Sequence, residues 1–88
     1  MTVPSVEEVK LHLAASVDQA QHAMAGIRAV TEQVDEALAR LRLTAIGSAH
    51  PAMVEAIGRL EQAKVRLDEA HTLAGGAVDA ANAYRSVA

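Results

Sequence analysis

Ala45-Ile46-Gly47-Ser48-Ala49-His50-Pro51 is the stretch that decides the fold. A glycine takes the left-handed conformation past a helix end at little cost, because it has no Cβ. Proline suits the first position of a helix, where its fixed φ helps and its missing N–H is not needed. Gly47 therefore closes one helix and Pro51 opens another, with His50 or Ser48 as the cap. Arg40 and Arg42 lie in the last turns of the first helix, where positive charge suits the helix dipole, and Glu55 lies early in the second. So short a connection makes the two helices antiparallel neighbours.

Upstream of the turn, Ser5-Val6-Glu7-Glu8 has the form of a capping box: the Ser5 hydroxyl can accept from the N–H of Glu8, and the Glu8 carboxylate can reach back to that of Ser5. Pro4 keeps the chain extended up to the cap. Between Val6 and the turn there is no proline and one glycine, Gly26, among many Ala, Leu, Glu, Gln and Arg, the better helix formers. The first helix is expected over about 6–46. Downstream, the second is expected over about 51–86, with a weak point at Gly75-Gly76, where two adjacent glycines cost roughly 2 kcal/mol relative to alanines. The fold class is thus all-α, a long antiparallel two-helix hairpin forming a single domain over 1–88.

Counting by sevens from Val6 meets Leu13, Ala20, Ile27, Val34 and Leu41 without exception. The row three further along runs Val9, Ser16, Ala23, Val30, Ala37, Thr44, and the row four along runs Lys10, Val17, Met24, Thr31, Leu38, Ala45. Together they predict a three-row apolar face packing into a bundle. In the second helix the corresponding rows are Met53, Leu60, Leu67, Ala74, Ala81, Ala88 and Ala56, Ala63, Ala70, Ala77, Tyr84. The latter seam of small residues lets helix axes approach closely. On the polar faces, Glu36–Arg40 and Glu55–Arg59 read as favourable i,i+4 pairs and Lys64–Asp68 as the weaker reverse orientation.

Composition narrows the function. Of 45 apolar residues 20 are alanine, and Tyr84 is the one aromatic. That excludes the aromatic platform on which single-stranded nucleic acids stack and disfavours sandwiches and barrels, which use β-branched and aromatic side chains. A net charge of −3 argues against neutralising a duplex backbone. Without cysteine there is no disulfide, thiolate metal site or cysteine nucleophile. The N-terminus lacks the basic segment and apolar run of a cleavable signal peptide, no window reaches the ~18 apolar residues of a membrane span, and no basic amphipathic face is available for a membrane surface. A soluble cytoplasmic protein is expected.

Catalytic and metal chemistry find little support. His12, His22, His50 and His71 include no i,i+4 pair of the zinc-helix kind. Asp68-Glu69-Ala70-His71 is one approximate copy of the Glu-x-x-His repeat that a di-iron bundle needs twice. A metal-binding bundle enzyme stays as a rival reading, centred on His71. His71 itself reads as a hydrogen-bonded residue on the flank of the inner face, His50 as a loop or cap residue, and His12 and His22 as surface partners of Glu8 and Asp18. No serine lies in a nucleophile elbow, and Gly75-Gly76 is no phosphate loop. The expectation is no enzyme, no cofactor and no metal.

An isolated hairpin has one contact face, and small scaffolds rarely gain more than ~3–5 kcal/mol without staples or association. Leucine and valine also lie off the main rows. Leu11, Leu43, Ile46, Val65 and Leu73, with Tyr84 near the terminus, are the candidate partner interface, and Leu11→Glu and Val65→Glu are expected to break assembly. The partner expected is protein: a second copy, giving a four-helix bundle, or a different helical hairpin. A filament built by open head-to-tail stacking is the alternative.

With the hairpin in view, the chain resembles the small WXG-type helical hairpins exported by type VII secretion. The resemblance rests on the length, the two long helices and the glycine at the turn. Ala45-Ile46-Gly47 has the glycine of the Trp-x-Gly turn motif without its tryptophan. Tyr84-Arg85-Ser86-Val87-Ala88 has the tyrosine of the Tyr-x-x-x-Asp/Glu signal, with Ala88 in the acidic position. The second half, from His50-Pro51 through Leu60-Glu61-Gln62-Ala63 and Leu67-Asp68-Glu69-Ala70 to Ala83-Tyr84, is also similar to small uncharacterised helical bacterial proteins. These resemblances imply a non-enzymatic scaffold, adaptor or secretion-associated partner, exported, if at all, without a cleavable signal.

Overall fold

Ser5 caps the first helix. Its backbone is extended (φ −70°, ψ 161°) and its hydroxyl accepts from the N–H of Glu8 at 3.2 Å. The return bond from the Glu8 carboxylate is not formed, so half of the expected capping box is present. The computed structural model describes residues 5–47 and 50–87. Within it α1 runs Val6–Ala45 and α2 runs Pro51–Val87, each within a residue of expectation. The expectations placed on Pro4, Ser48 and Ala88 lie outside the described residues.

The turn is built as its residues require. The N–H of Ile46 bonds to the Leu43 carbonyl at 3.3 Å, and Gly47 follows at φ +83°. His50 opens α2: its carbonyl accepts from the N–H groups of Met53 and Val54, while its Nδ1 accepts from that of Ala52 at 3.1 Å. The imidazole stands where a serine or aspartate cap would, satisfying an N–H that has no carbonyl partner within the helix. Gly75 and Gly76 do not break α2. Gly75 instead lies against α1, where a Cβ would stand 3.4 Å from the terminal methyl of Met24.

The helices pack against each other through two rows of α1. Along the Leu13–Leu41 row and the Lys10–Ala45 row every residue is half-buried or buried, and Val17 and Leu38 lie deepest. The third row corrects the expectation of a three-row contact: Ser16, Ala23, Val30 and Thr44 are exposed. One neighbouring helix covers a two-row seam, and a third row needs a second neighbour.

The small-residue seam of α2 is corrected as well. Ala56 and Ala63 face α1, but Ala70, Ala77 and Tyr84 are exposed, and His71 and Val78 have taken their place. A straight helix drifts about 20° per heptad against a seven-residue repeat. By Ala70, two heptads beyond Ala56, that drift has carried the first row out of the contact and brought its neighbour in.

A hairpin of 66 × 23 × 18 Å results, with a radius of gyration of 19.8 Å. A globular chain of this length has about 12 Å. Among the described residues only Val17, Leu38 and Val78 are buried. The expected seam exists, but it encloses no core.

Candidate interaction surface

Two sides of the hairpin differ in chemistry. On one, polar side chains cross between the helices. Arg28 Nε donates to His71 Nε2 at 3.1 Å, Lys64 pairs with Asp35 at 2.7 Å, and Arg42 with Glu61 at 2.7 Å. This bond occupies the His71 of the Asp68–His71 motif. His71 is half-buried, as its place on the flank predicts. Among the described residues no group of three or more His, Asp or Glu side chains is placed to hold a metal ion.

The cross-helix pairs were not legible in the sequence, which pointed to neighbours on the same helix. Glu55 and Arg59 do pair at 2.8 Å, and Arg66 and Glu69 at 3.2 Å. Lys64 takes Asp35 rather than Asp68, because the opposing helix brings a carboxylate nearer than the unfavourable i,i+4 orientation does. Among the described residues Glu36–Arg40 and the pairs of His12 and His22 with Glu8 and Asp18 are not formed. These groups point into water, where an ion pair contributes little.

The opposite side carries the rows of α1 that run from Val9 to Thr44 and from His12 to Arg40. Beside them lie the rows of α2 that run from Ala56 to Tyr84 and from Ala52 to Val87. A shallow apolar groove of about 160 Å³ crosses this side between Ser16, Val17 and Ala20 of α1 and Ala77, Val78 and Ala81 of α2. None of the eleven Asp and Glu residues falls on these four rows. All lie on the cross-linked side or on the outward backs of the helices. The basic residues on the four rows are His12, Arg40, Arg59 and Arg66, of which Arg59 is tied to Glu55 and Arg66 to Glu69.

The six candidate interface residues are all exposed, from 41% for Tyr84 to 77% for Ile46. The structure does not gather them on one face. Leu73 and Tyr84 belong to the carboxylate-free side. Leu11 lines an open hollow of about 550 Å³ with Glu7, Lys10, Asn82 and Arg85, and Val65 lines another of about 440 Å³ with Lys64, Asp68 and Glu69, both on the charged side. Leu43 and Ile46 stand at the turn. The carboxylate-free face was missed by seeking large side chains off the main rows. The absence of Asp and Glu from particular rows was the readable signal.

No helix among the described residues is long and apolar enough to cross a membrane. Compared with known proteins, the chain matches no family model, no curated protein and no solved structure.

Proposed function

We propose that the chain is a non-enzymatic helical interaction protein, a scaffold, adaptor or secretion-associated partner that works through apolar helix faces. It pairs with another helical hairpin into a four-helix bundle, either a second copy or a different chain. One observation carries this reading: three hydrophobic residues are buried, while ten large ones, among them Leu11, Leu43, Ile46, Val65, Leu73 and Tyr84, stay exposed among the described residues. A helix packed on one neighbour leaves such surface for another to cover. The test is absolute mass by light scattering after size exclusion over a tenfold concentration range, with circular dichroism on the same samples. A helical dimer, or a poorly helical monomer that becomes helical with a partner hairpin, supports the reading. A stable, fully helical monomer refutes it.

A second reading, a filament subunit, draws on the two ends of the hairpin. Leu43, Ile46 and Val54 are exposed at the turn, and Leu11 and Val87 at the open end. Apolar ends that meet head-to-tail do not close and give an open chain of subunits. Large, polydisperse assemblies in the same measurement favour it.

A further inference from the structure

We propose that the carboxylate-free side of the hairpin is the docking face for a second copy of this chain. The inference rests on the reading above and names both the face and its occupant.

Area and charge together select that occupant. The hairpin exposes 6593 Å², where a globular monomer of its mass exposes ~4,900 Å². The excess, about 1,700 Å², is twice the ~800 Å² that each partner buries in a standard interface. A short peptide leaves most of it uncovered. A partner as long as the hairpin's own 66 Å covers one whole side. Val30, Leu73, Tyr84 and Val87 stand exposed on this side, with alanines between them that let helix axes approach. With no Asp or Glu on the four rows, and the neighbouring Glu55 and Glu69 already paired with Arg59 and Arg66, a basic partner finds no free carboxylate there. With Arg59 and Arg66 held by Glu55 and Glu69, an acidic partner finds only Arg40 and, at the far end of the same row, the His12 imidazole. A face of equal length, rich in alanine and valine with Arg40 as its one unpaired arginine among the described residues, is what a second copy presents. The charged side is a poor alternative, because two copies meeting there would bring together their uncompensated carboxylates.

Ala23 and Ala70 test the face cleanly. Both are exposed near the middle of the hairpin, and glutamate is a good helix former, so a Glu at either place leaves the hairpin itself intact. The experiment compares the wild type, Ala23→Glu with Ala70→Glu, and Leu11→Glu with Val65→Glu, by light scattering over a concentration series and by circular dichroism. The expected result is a helical wild-type dimer and at least tenfold weaker dimerisation for the Ala23/Ala70 variant. In place of the loss of assembly expected from sequence, the Leu11/Val65 variant keeps a dimer within about twofold of wild type, because its changes fall on the charged side. A dimer that survives the first pair, or is lost with the second, overturns this face and leaves pairing through apolar surface standing. A poorly helical wild-type monomer overturns the second copy and leaves a different hairpin as partner. A fully helical wild-type monomer overturns both the inference and the reading beneath it. Large assemblies overturn the closed pair in favour of the filament.

Discussion

Asp35 on α1 and Lys64 on α2 meet at 2.7 Å, one heptad along each helix from the Arg28–His71 hydrogen bond. Seven residues forward on α1 match seven residues back on α2, so the two contacts record a single register. At the next heptad toward the turn the polar partner shifts: Arg42 reaches Glu61 rather than Ile57, the residue in register. These contacts mark the register. The apolar seam beneath them supplies most of the energy.

That division is measurable. Asp35 and Lys64 are each 48% exposed at the side chain, and exposed pairs contribute ~0.2–1 kcal/mol. A double-mutant cycle with Asp35→Asn and Lys64→Gln should give a coupling below about 1 kcal/mol that fades in 1 M salt. A larger, salt-independent coupling in chemical denaturation would mean that the pair is dry.

Leu38 is 2% exposed and the most deeply buried side chain of the seam. Leu38→Ala should cost about 2–3 kcal/mol, toward the lower part of the range for buried leucines because this thin seam can partly collapse. That is comparable with the whole stability expected of a small hairpin. The variant should show far lower helicity at room temperature, whereas Leu43→Ala, at a site 70% exposed, should keep wild-type helicity in dilute monomer.

Gly58 and Gly76 lie within α2 with open space where a Cβ would stand. Replacing either by alanine should stabilise the hairpin by ~0.5–1 kcal/mol through helix propensity and a less disordered unfolded chain. Gly75→Ala should gain less, since its Cβ meets the Met24 methyl at 3.4 Å. Denaturation midpoints of the three variants order these sites.

Gly47 behaves oppositely. At φ +83° an alanine is strained, and Gly47→Ala should destabilise by about 1 kcal/mol. Thermal unfolding of Gly47→Ala beside Gly76→Ala would show two alanines of opposite sign in one chain.

The two helices, their ends and their antiparallel order were written in local chemistry: the Ser5 cap, the unbroken run to Gly47 and the opening at Pro51 depend on neighbours a few residues apart. The Leu13–Leu41 row was equally legible, because a seven-residue repeat marks its own face. Which second row joins it was not. Ala70, Ala77 and Tyr84 look as good a seam as His71 and Val78 until a straight α2 is laid on α1 and its drift is counted. The fate of Gly75-Gly76 likewise depended on a neighbour, Met24, far away in the chain. Lys64 chose Asp35 over Asp68 for the same reason. Spacing along one helix records which residues share its surface. The part of that surface a partner covers depends on how two helices cross, so the uncovered carboxylate-free side came into view only when both were in place.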